Sequence, residues 1–272
     1  MDSKIAVLTL VKGRHSALLN LIKGLSLTAY PALELIIVHM NEEVCELPAT
    51  PFPVRSVSLF TDEQLPLAKA RNMAIANASA EFCIFLDVDC IPAVDFISLY
   101  ASAFLKKNIL WSGLVRYLKP GFPSDLTASE LEKWSDKDPT RGDLETLPYE
   151  LFWSLNFGCS KTVFDKIGGF DERYKGYGAE DTDFSFTARK RGIELGLVQA
   201  TAYHQPHPSY DPPLNHLEDI VKNALVFYSK WHRWPMEGWL NKFAEMGYVL
   251  WSEKELIVLN HPTEAEITRC IK

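Results

Sequence analysis

The first 118 residues alternate short, continuously apolar runs with segments of helical periodicity, and this alternation is the strongest constraint on the fold. The apolar runs predict strands at residues 5–11, 33–39, 54–59, 81–86 and 109–117. Helical spacing predicts helices at residues 16–28, 67–78 and 95–106, the first with Ser16 as a candidate cap. Strands that are apolar on both faces and separated by helices are typical of a mostly parallel sheet covered on both sides. We therefore predict a single α/β domain with ligands at the carboxyl ends of its strands.

The chain changes character at residues 119–148, which are rich in proline and charged side chains. A segment of this length without strong periodicity predicts a flexible loop or lid, with a short helix at residues 128–134. Regular patterns then resume. Strands are predicted at residues 156–160 and 194–200, and helices at residues 161–167, 181–191 and 214–228. A loop that begins at His204 is predicted at residues 204–213.

Composition excludes several classes of protein. A net charge of −7 without a basic run argues against nucleic acid as a partner. Five cysteines without a CxxC pair argue against a disulfide framework and for a reducing compartment. No apolar run reaches the roughly 18 residues that span a bilayer, and a first strand at Ile5 leaves no room for a signal peptide. We expect a cytoplasmic protein without a transmembrane segment, with peripheral attachment to a membrane left open.

Two aspartates, Asp87 and Asp89, follow a predicted buried strand at residues 81–86. Because strand alternation ends there, both carboxylates can turn toward one point in the crevice. Two anions this close raise each other's pKa unless a cation lies between them. A divalent ion that bridges to a diphosphate is the natural cation, since Mg²⁺ and Mn²⁺ prefer hard oxygen ligands. A polar turn after the strand is the alternative for an isolated pair.

The context of this pair resembles a known enzyme family. The run LAKARNMA at residues 67–74, followed by FLDVDC at residues 85–90, resembles the nucleotide-sugar half of glycosyltransferase family 2. That resemblance implies a GT-A fold, a Rossmann-like mixed, mostly parallel sheet with helices on both faces. It also implies that Asp87 faces the ribose and sugar of the donor and that Asp89 binds the metal. Lys69 and Arg71 would hold the donor, although a solvated helix face is the alternative for both.

A second motif crowds carboxylates at the start of a predicted helix, in the run KGYGAEDT at residues 175–182. A helix N-terminus favours negative charge, so a simple cap is the alternative. The run resembles the galactosyltransferase C-terminal segment of β-1,4-galactosyltransferases. That resemblance makes Asp181 the catalytic base, Glu180 an acceptor-binding carboxylate and Tyr177 the aromatic residue that contacts the acceptor. Lys175 and Thr182 depart from the pattern, so a different acceptor is expected.

Two histidines, His204 and His207, stand three residues apart in a proline-stiffened loop. A lone histidine is more often a structural hydrogen-bonding residue than a ligand, but a pair at this spacing is a better candidate. The galactosyltransferase relatives place a metal-ligand pair at the same spacing. By that resemblance His207, His204 and Asp89 bind the metal, and imidazole favours Mn²⁺ over Mg²⁺.

Two further side chains are assigned to substrate binding. Arg14 follows the first predicted strand, where a basic group suits a diphosphate and where the family has basic residues. Trp153 lies beside the acceptor motif in sequence and is a candidate for stacking on a sugar ring.

The resemblance covers most of residues 3–210 and implies a metal-dependent, inverting glycosyltransferase. It would move a hexose or N-acetylhexosamine from a UDP-sugar to a hydroxyl of a glycan, a lipid-linked intermediate or a small molecule. Residues 1–118 would form the donor-binding half, and residues 149–272 would form the acceptor-binding and C-terminal half of the same domain. Two alternatives remain, a sugar nucleotidyltransferase and a non-catalytic sugar- or nucleotide-binding protein on the same fold.

Overall fold

The computed structural model describes residues 4–28, 30, 33–123 and 127–272. Within these residues the strands form a large mixed sheet and a small hairpin. The strands are β1 (Ile5–Val11), β2 (Leu33–Met40), β3 (Val54–Leu59), β4 (Phe82–Leu86), β5 (Cys90–Pro92), β6 (Leu110–Leu118), β7 (Ser135–Lys137), β8 (Asn156–Ser160), β9 (Leu195–His204), β10 (Val249–Trp251) and β11 (Leu256–Val258). The helices are α1 (His15–Leu27), α2 (Leu67–Asn77), α3 (Phe96–Lys106), α4 (Ala128–Lys133), α5 (Lys161–Ile167), α6 (Glu180–Lys190), α7 (Leu217–Trp231), α8 (Glu237–Glu245) and α9 (Glu264–Arg269).

The large sheet has the strand order β3-β2-β1-β4-β8-β6-β9-β5, and β7 pairs with β6. Strands β1 to β4 are parallel neighbours, β6 is parallel to β9, and β8 is antiparallel to both β4 and β6. The predicted α/β class with a mixed, mostly parallel sheet is therefore confirmed. Because β1, β2 and β4 end at one edge, the residues that follow them lie close together.

A hydrophobic core covers each face of the sheet. On one face, α1 and α3 bury side chains such as Leu21 and Tyr100 against the strands. On the other face, α2, α5 and α6 contribute Ala74, Phe164 and Phe184, and the last of these stacks on Phe170. Burial on both sides explains why the strands are continuously apolar in sequence.

The C-terminal residues form a third packed unit against the sheet domain. Helices α7 and α8 and the β10–β11 hairpin bury a core that includes Ile220, Trp234 and Phe243. Tyr210 also pairs with Ile271, which ties the start of this unit to its end. None of the helices in the described part of the chain has the length and apolar character needed to cross a bilayer.

Two local predictions were wrong. Ser16 does not cap α1, because the helix begins at His15 and the residue before it, Arg14, makes no side-chain cap. The strand predicted at residues 194–200 continues to His204, so this histidine is on a strand and not in a loop. The extension forms because Cys90 of β5 and Tyr117 of β6 both pair with His204.

The segment predicted as a flexible loop or lid contains regular structure. It includes α4 and β7, and Asp138 and Arg141 form a buried ion pair with a distance of 3.2 Å from Nε to Oδ2. Residues 124–126 of this segment lie outside the described residues. Its closure over a substrate stays a prediction.

Candidate functional site

The candidate site begins in a tight turn after β4. The backbone amide of Cys90 donates to the carbonyl of Asp87 over 2.9 Å, which turns the chain back and brings the Asp87 and Asp89 side chains to one edge of the sheet. Strand β5 then pairs with β9 so that Cys90 lies opposite His204. The amide of Gln205 donates to the Asp89 carbonyl over 2.7 Å. Two segments more than one hundred residues apart in sequence are thereby fixed side by side.

Asp89, His204 and His207 form a cluster whose ligand atoms all lie within 4.8 Å of one another. Nε2 of His204 is 3.5 Å from Oδ1 of Asp89, and Nε2 of His207 is 3.5 Å from Oδ2. Oδ1 of Asp89 is buried and has no hydrogen-bond partner within the described part of the chain. A buried carboxylate oxygen of this kind is costly unless a cation or water satisfies it. One carboxylate and two imidazoles therefore fit a divalent metal ion.

The local contacts of the two imidazoles suit metal binding. Nδ1 of His207 lies 2.8 Å from the carbonyl of Pro208, which favours a proton on Nδ1 and leaves Nε2 free toward Asp89. Burial lowers the pKa of His204, although the Asp89 carboxylate opposes this shift. A neutral imidazole is the form that binds metals.

Arg14 lies at the rim of the same cluster. Its Nη1 contacts Oδ2 of Asp89, and its Nη2 is 3.4 Å from Nδ1 of His207. The predicted donor-binding arginine and the predicted metal ligands are thus brought together. This guanidinium is the cation closest to the Asp89 carboxylate.

Asp87 faces a buried ion pair between Arg71 and Glu180. Nη1 of Arg71 lies 3.0 Å from Oε1 of Glu180, and the guanidinium stacks 5.0 Å from the centre of the Phe170 ring. Burial raises the pKa of Asp87 to about 7, against the opposing effect of Arg71 and with a further rise from Asp89. Glu180 is thus paired with Arg71, and contact of Glu180 with the acceptor stays a prediction. Lys69 is exposed on α2, whereas Arg71 is buried.

The acidic motif forms the start of α6. The backbone at Gly178 and Ala179 has positive φ values of 102° and 71°, a conformation that glycine adopts freely and alanine does not. The chain therefore turns sharply into α6, and the Asp181 side chain lies against the backbone of Ser154, just before β8. The amide of Thr182 donates to Oδ1 of Asp181 over 2.7 Å. Burial raises the pKa of Asp181 to about 7, and the neighbouring Glu180 carboxylate adds to the rise.

The next carboxylate of the motif, Asp183, has a structural role. It is buried and accepts hydrogen bonds from the hydroxyl of Tyr174 over 3.0 Å and from Nε1 of Trp231 over 2.7 Å. Nζ of Lys230 is 2.8 Å from its second oxygen. Asp183 is therefore already bound by structural partners and does not offer a free carboxylate to the site.

The two aromatic residues predicted for the acceptor already have ring partners. Tyr177 is 36% exposed and stacks on His216, with ring centres 4.7 Å apart, and on Trp239, with centres 5.9 Å apart. Trp153 lies beneath the guanidinium of Arg141 at 4.2 Å. Contact of either residue with an acceptor stays a prediction.

Sequence reasoning missed Asn223 of α7, which holds the loop before Asp181. Its buried side chain accepts from the amide of Lys175 over 3.1 Å and donates to the carbonyls of Lys175 and Gly178, each over 2.9 Å. An isolated asparagine in a helix gives no sequence signal for this role, because its partners lie more than forty residues away.

We expect Asn223→Ala to lower the free energy of unfolding by about 2 kcal/mol, because buried backbone groups lose their hydrogen-bond partners. Chemical denaturation measures this change. Asn241→Ala is a matched control, since Asn241 is an exposed helical asparagine that bonds only to Glu245 among the described residues. Equal stability of the two variants would contradict the assigned role of Asn223.

Comparisons with known proteins bear on the family and the fold. Residues 145–208 match the model described as the N-terminal domain of galactosyltransferase, a stretch that contains Trp153, Asp181 and both histidines. The chain is also 25% identical over 174 residues to the chondroitin synthase of Pasteurella multocida. That match covers 52% of this chain and 18% of the synthase.

Two solved structures share the fold. TarS of S. aureus has a TM-score of 0.55 and 17% identity, with 83% of this chain and 65% of that chain covered. GalNAc-T7, solved with UDP, GalNAc and Mn²⁺, has a TM-score of 0.55 and 15% identity, with 75% and 44% covered. The chain thus spans less than two thirds of the length of each of these relatives. The GT-A fold and the galactosyltransferase-like segment are confirmed, and together the comparisons support a glycosyltransferase.

Proposed function

We propose that this chain transfers a hexose or N-acetylhexosamine from a UDP-sugar to an acceptor hydroxyl, in a metal-dependent reaction that inverts the anomeric centre. One observation carries the proposal. The ion pair between Arg71 of α2 and Glu180 of α6, 3.0 Å long, joins the two halves of the site, and its charges act on both Asp87 and Asp181. The candidate metal cluster, which suits the leaving diphosphate, and Asp181, which suits the attacking hydroxyl, are therefore both connected to this one ion pair.

Asp89, His207 and His204 would hold the metal ion, Mn²⁺ or Mg²⁺. When bound, such an ion neutralises the charge that develops on the leaving diphosphate. GalNAc-T7, which shares the fold, was solved with UDP and Mn²⁺, and this supports the choice of donor and metal.

Donor binding is assigned to the residues that surround the cluster. Arg14 has a partly exposed, planar guanidinium, a shape that suits the paired oxygens of a diphosphate. Asp87 follows β4 and would accept hydrogen bonds from donor hydroxyls. Arg71 is fixed by Glu180 and Phe170, so its charge contributes to the field of the site without rearrangement. Lys69 would contact the donor only from the outer side of α2.

Asp181 is proposed as the general base. Its carboxylate would remove the proton from the acceptor hydroxyl as the oxygen attacks the anomeric carbon from the face opposite the diphosphate. The C–O bond to the acceptor forms as the bond to the leaving phosphate oxygen breaks, which gives inversion in one displacement. Tyr177 and Trp153 would border the acceptor, a glycan, a lipid-linked intermediate or a small molecule.

The test is hydrolysis and binding of a panel of UDP-, GDP- and TDP-sugars, with Mn²⁺, Mg²⁺ or EDTA. We expect one UDP-sugar to bind and to be slowly hydrolysed only when metal is present, because water replaces the acceptor. Binding without turnover under any condition, including with candidate acceptors, would favour a non-catalytic sugar-binding protein. Formation of a UDP-sugar from UTP and a sugar phosphate would instead favour a nucleotidyltransferase.

The raised pKa of Asp181, to about 7, predicts a pH dependence. A base must be unprotonated to act, so the hydrolysis rate should fall about tenfold for each pH unit below 7 and level off above it. The measurement is the rate at saturating UDP-sugar between pH 5.5 and about 8.5, a range set by the expected titration. The residual rate of Asp181→Asn should lack this dependence. A wild-type rate that stays flat across the range would contradict the assignment.

A further inference from the structure

The side chain of Arg14 contacts the carboxylate that the proposed metal ion would also use. Its Nη1 contacts Oδ2 of Asp89, the same oxygen that lies 3.5 Å from Nε2 of His207. Two carboxylates in one turn, at Asp87 and Asp89, require a cation nearby. The guanidinium of Arg14 supplies that charge to Asp89. A metal ion held by Asp89 and the two imidazoles would lie against this guanidinium, so the two cations would compete for one carboxylate group.

The two partners differ in their freedom to move. The Asp89 side chain is only 8% exposed, and the carbonyl of this residue is tied to the amide of Gln205. Arg14 immediately precedes α1, and its side chain is 39% exposed. When a metal ion binds the Asp89 carboxylate, Arg14 is therefore the partner that moves away.

We propose that Arg14 exchanges between Asp89, when the cluster holds no metal, and the diphosphate of a bound nucleotide, and that this exchange couples metal binding to nucleotide binding. The inference rests on the proposed function, because it takes the metal centre and the UDP-sugar donor as given. The diphosphate offers the released guanidinium a second anion with paired oxygens, which its planar fork fits.

The exchange has a thermodynamic consequence. Without nucleotide, metal binding must displace Arg14 from a charge-assisted hydrogen bond, so the affinity for the ion is lowered. With nucleotide, Arg14 already has another partner and the ion binds more tightly. Coupling of this kind is reciprocal, so metal raises the affinity for nucleotide by the same factor.

The neighbouring Lys12 provides a matched control. It stands two residues before Arg14, carries the same charge, and donates to the carbonyl of Gln64. Replacing Lys12 changes the local field but removes no competitor for Asp89. A comparison of Arg14→Gln with Lys12→Gln therefore separates exchange from a general effect of positive charge.

The experiment measures Mn²⁺ binding by electron paramagnetic resonance, with and without saturating UDP, for the wild type and both variants. Arg14→Gln should bind Mn²⁺ alone about tenfold more tightly than the wild type, as expected when one charge-assisted hydrogen bond no longer opposes the ion. UDP should increase the Mn²⁺ affinity of the wild type and of Lys12→Gln about tenfold more than that of Arg14→Gln.

Failure of the Arg14 exchange and failure of the metal centre would give different results. If all three proteins bind Mn²⁺ but Arg14→Gln matches the wild type in affinity and in the response to UDP, the exchange is overturned and the metal centre stands. If Lys12→Gln behaves like Arg14→Gln, positive charge alone explains the effect, and the exchange is likewise overturned. If none of the proteins binds Mn²⁺ with or without UDP, the proposed metal centre itself is wrong.

Discussion

Asp181→Asn is expected to reduce turnover of the UDP-sugar by about 10²–10⁴-fold, the contribution typical of a well-placed general base. Asparagine keeps the size of the side chain and retains an oxygen that can accept from the Thr182 amide, so the start of α6 should keep its conformation. UDP binding should change by less than about twofold, because Asp181 acts on the acceptor and not on the nucleotide. Steady-state rates and calorimetric titration with UDP measure the two quantities.

A carboxylate elsewhere on the same domain provides the control for this substitution. Asp165 of α5 is exposed, and Asp165→Asn makes the same chemical change away from the site. Its turnover and binding should match the wild type. If Asp181→Asn retains full turnover, or if it loses UDP binding as much as turnover, Asp181 is not the base.

The second large effect is expected from Asp89→Ala. Loss of this carboxylate should weaken Mn²⁺ binding by more than the roughly 10–100-fold that removal of an outer partner of a metal ligand costs. The increase in thermal stability that UDP gives in the presence of Mn²⁺ should then disappear. For the wild type we expect that increase to be about 5–10 °C at saturating UDP.

Only the metal-dependent part of nucleotide binding tests this prediction. Asp89→Ala also frees Arg14, so the variant can retain UDP binding in EDTA through the released guanidinium. The exposed Asp143, which pairs with Lys137, is the control position for the same substitution. Full Mn²⁺-dependent stabilisation in Asp89→Ala would exclude this carboxylate as a ligand.

Much of the sheet domain could be predicted from local sequence. The bounds of β1, β3 and α5 agree with the prediction, because each is an apolar or periodic run between residues that break it. The end of β4 immediately before Asp87 was also predictable, because the apolar run stops at Leu86. These features depend on neighbours in sequence, which a pattern records directly.

The rest depends on partners that are distant in sequence. Strand β9 reaches His204 only because β5 and β6 pair with it, and β5 itself is three residues long. The pair of Arg71 with Glu180 joins residues 109 positions apart. The carboxylate predicted to bind the acceptor is thus paired with the arginine predicted to hold the donor. The contact between Arg14 and Asp89 follows from the order of β1 and β4 in the sheet, which no local pattern records.

In the proposed function, metal and UDP bind together at the edge of the sheet beside Asp89. Calorimetric titration of the wild-type protein with UDP in Mn²⁺ and, separately, in EDTA tests this joint binding. We expect saturable binding with one UDP per chain in Mn²⁺ and at least about tenfold weaker binding in EDTA, as coupling between the two ligands requires. Equal affinity in the two buffers, or no binding in either, would contradict it.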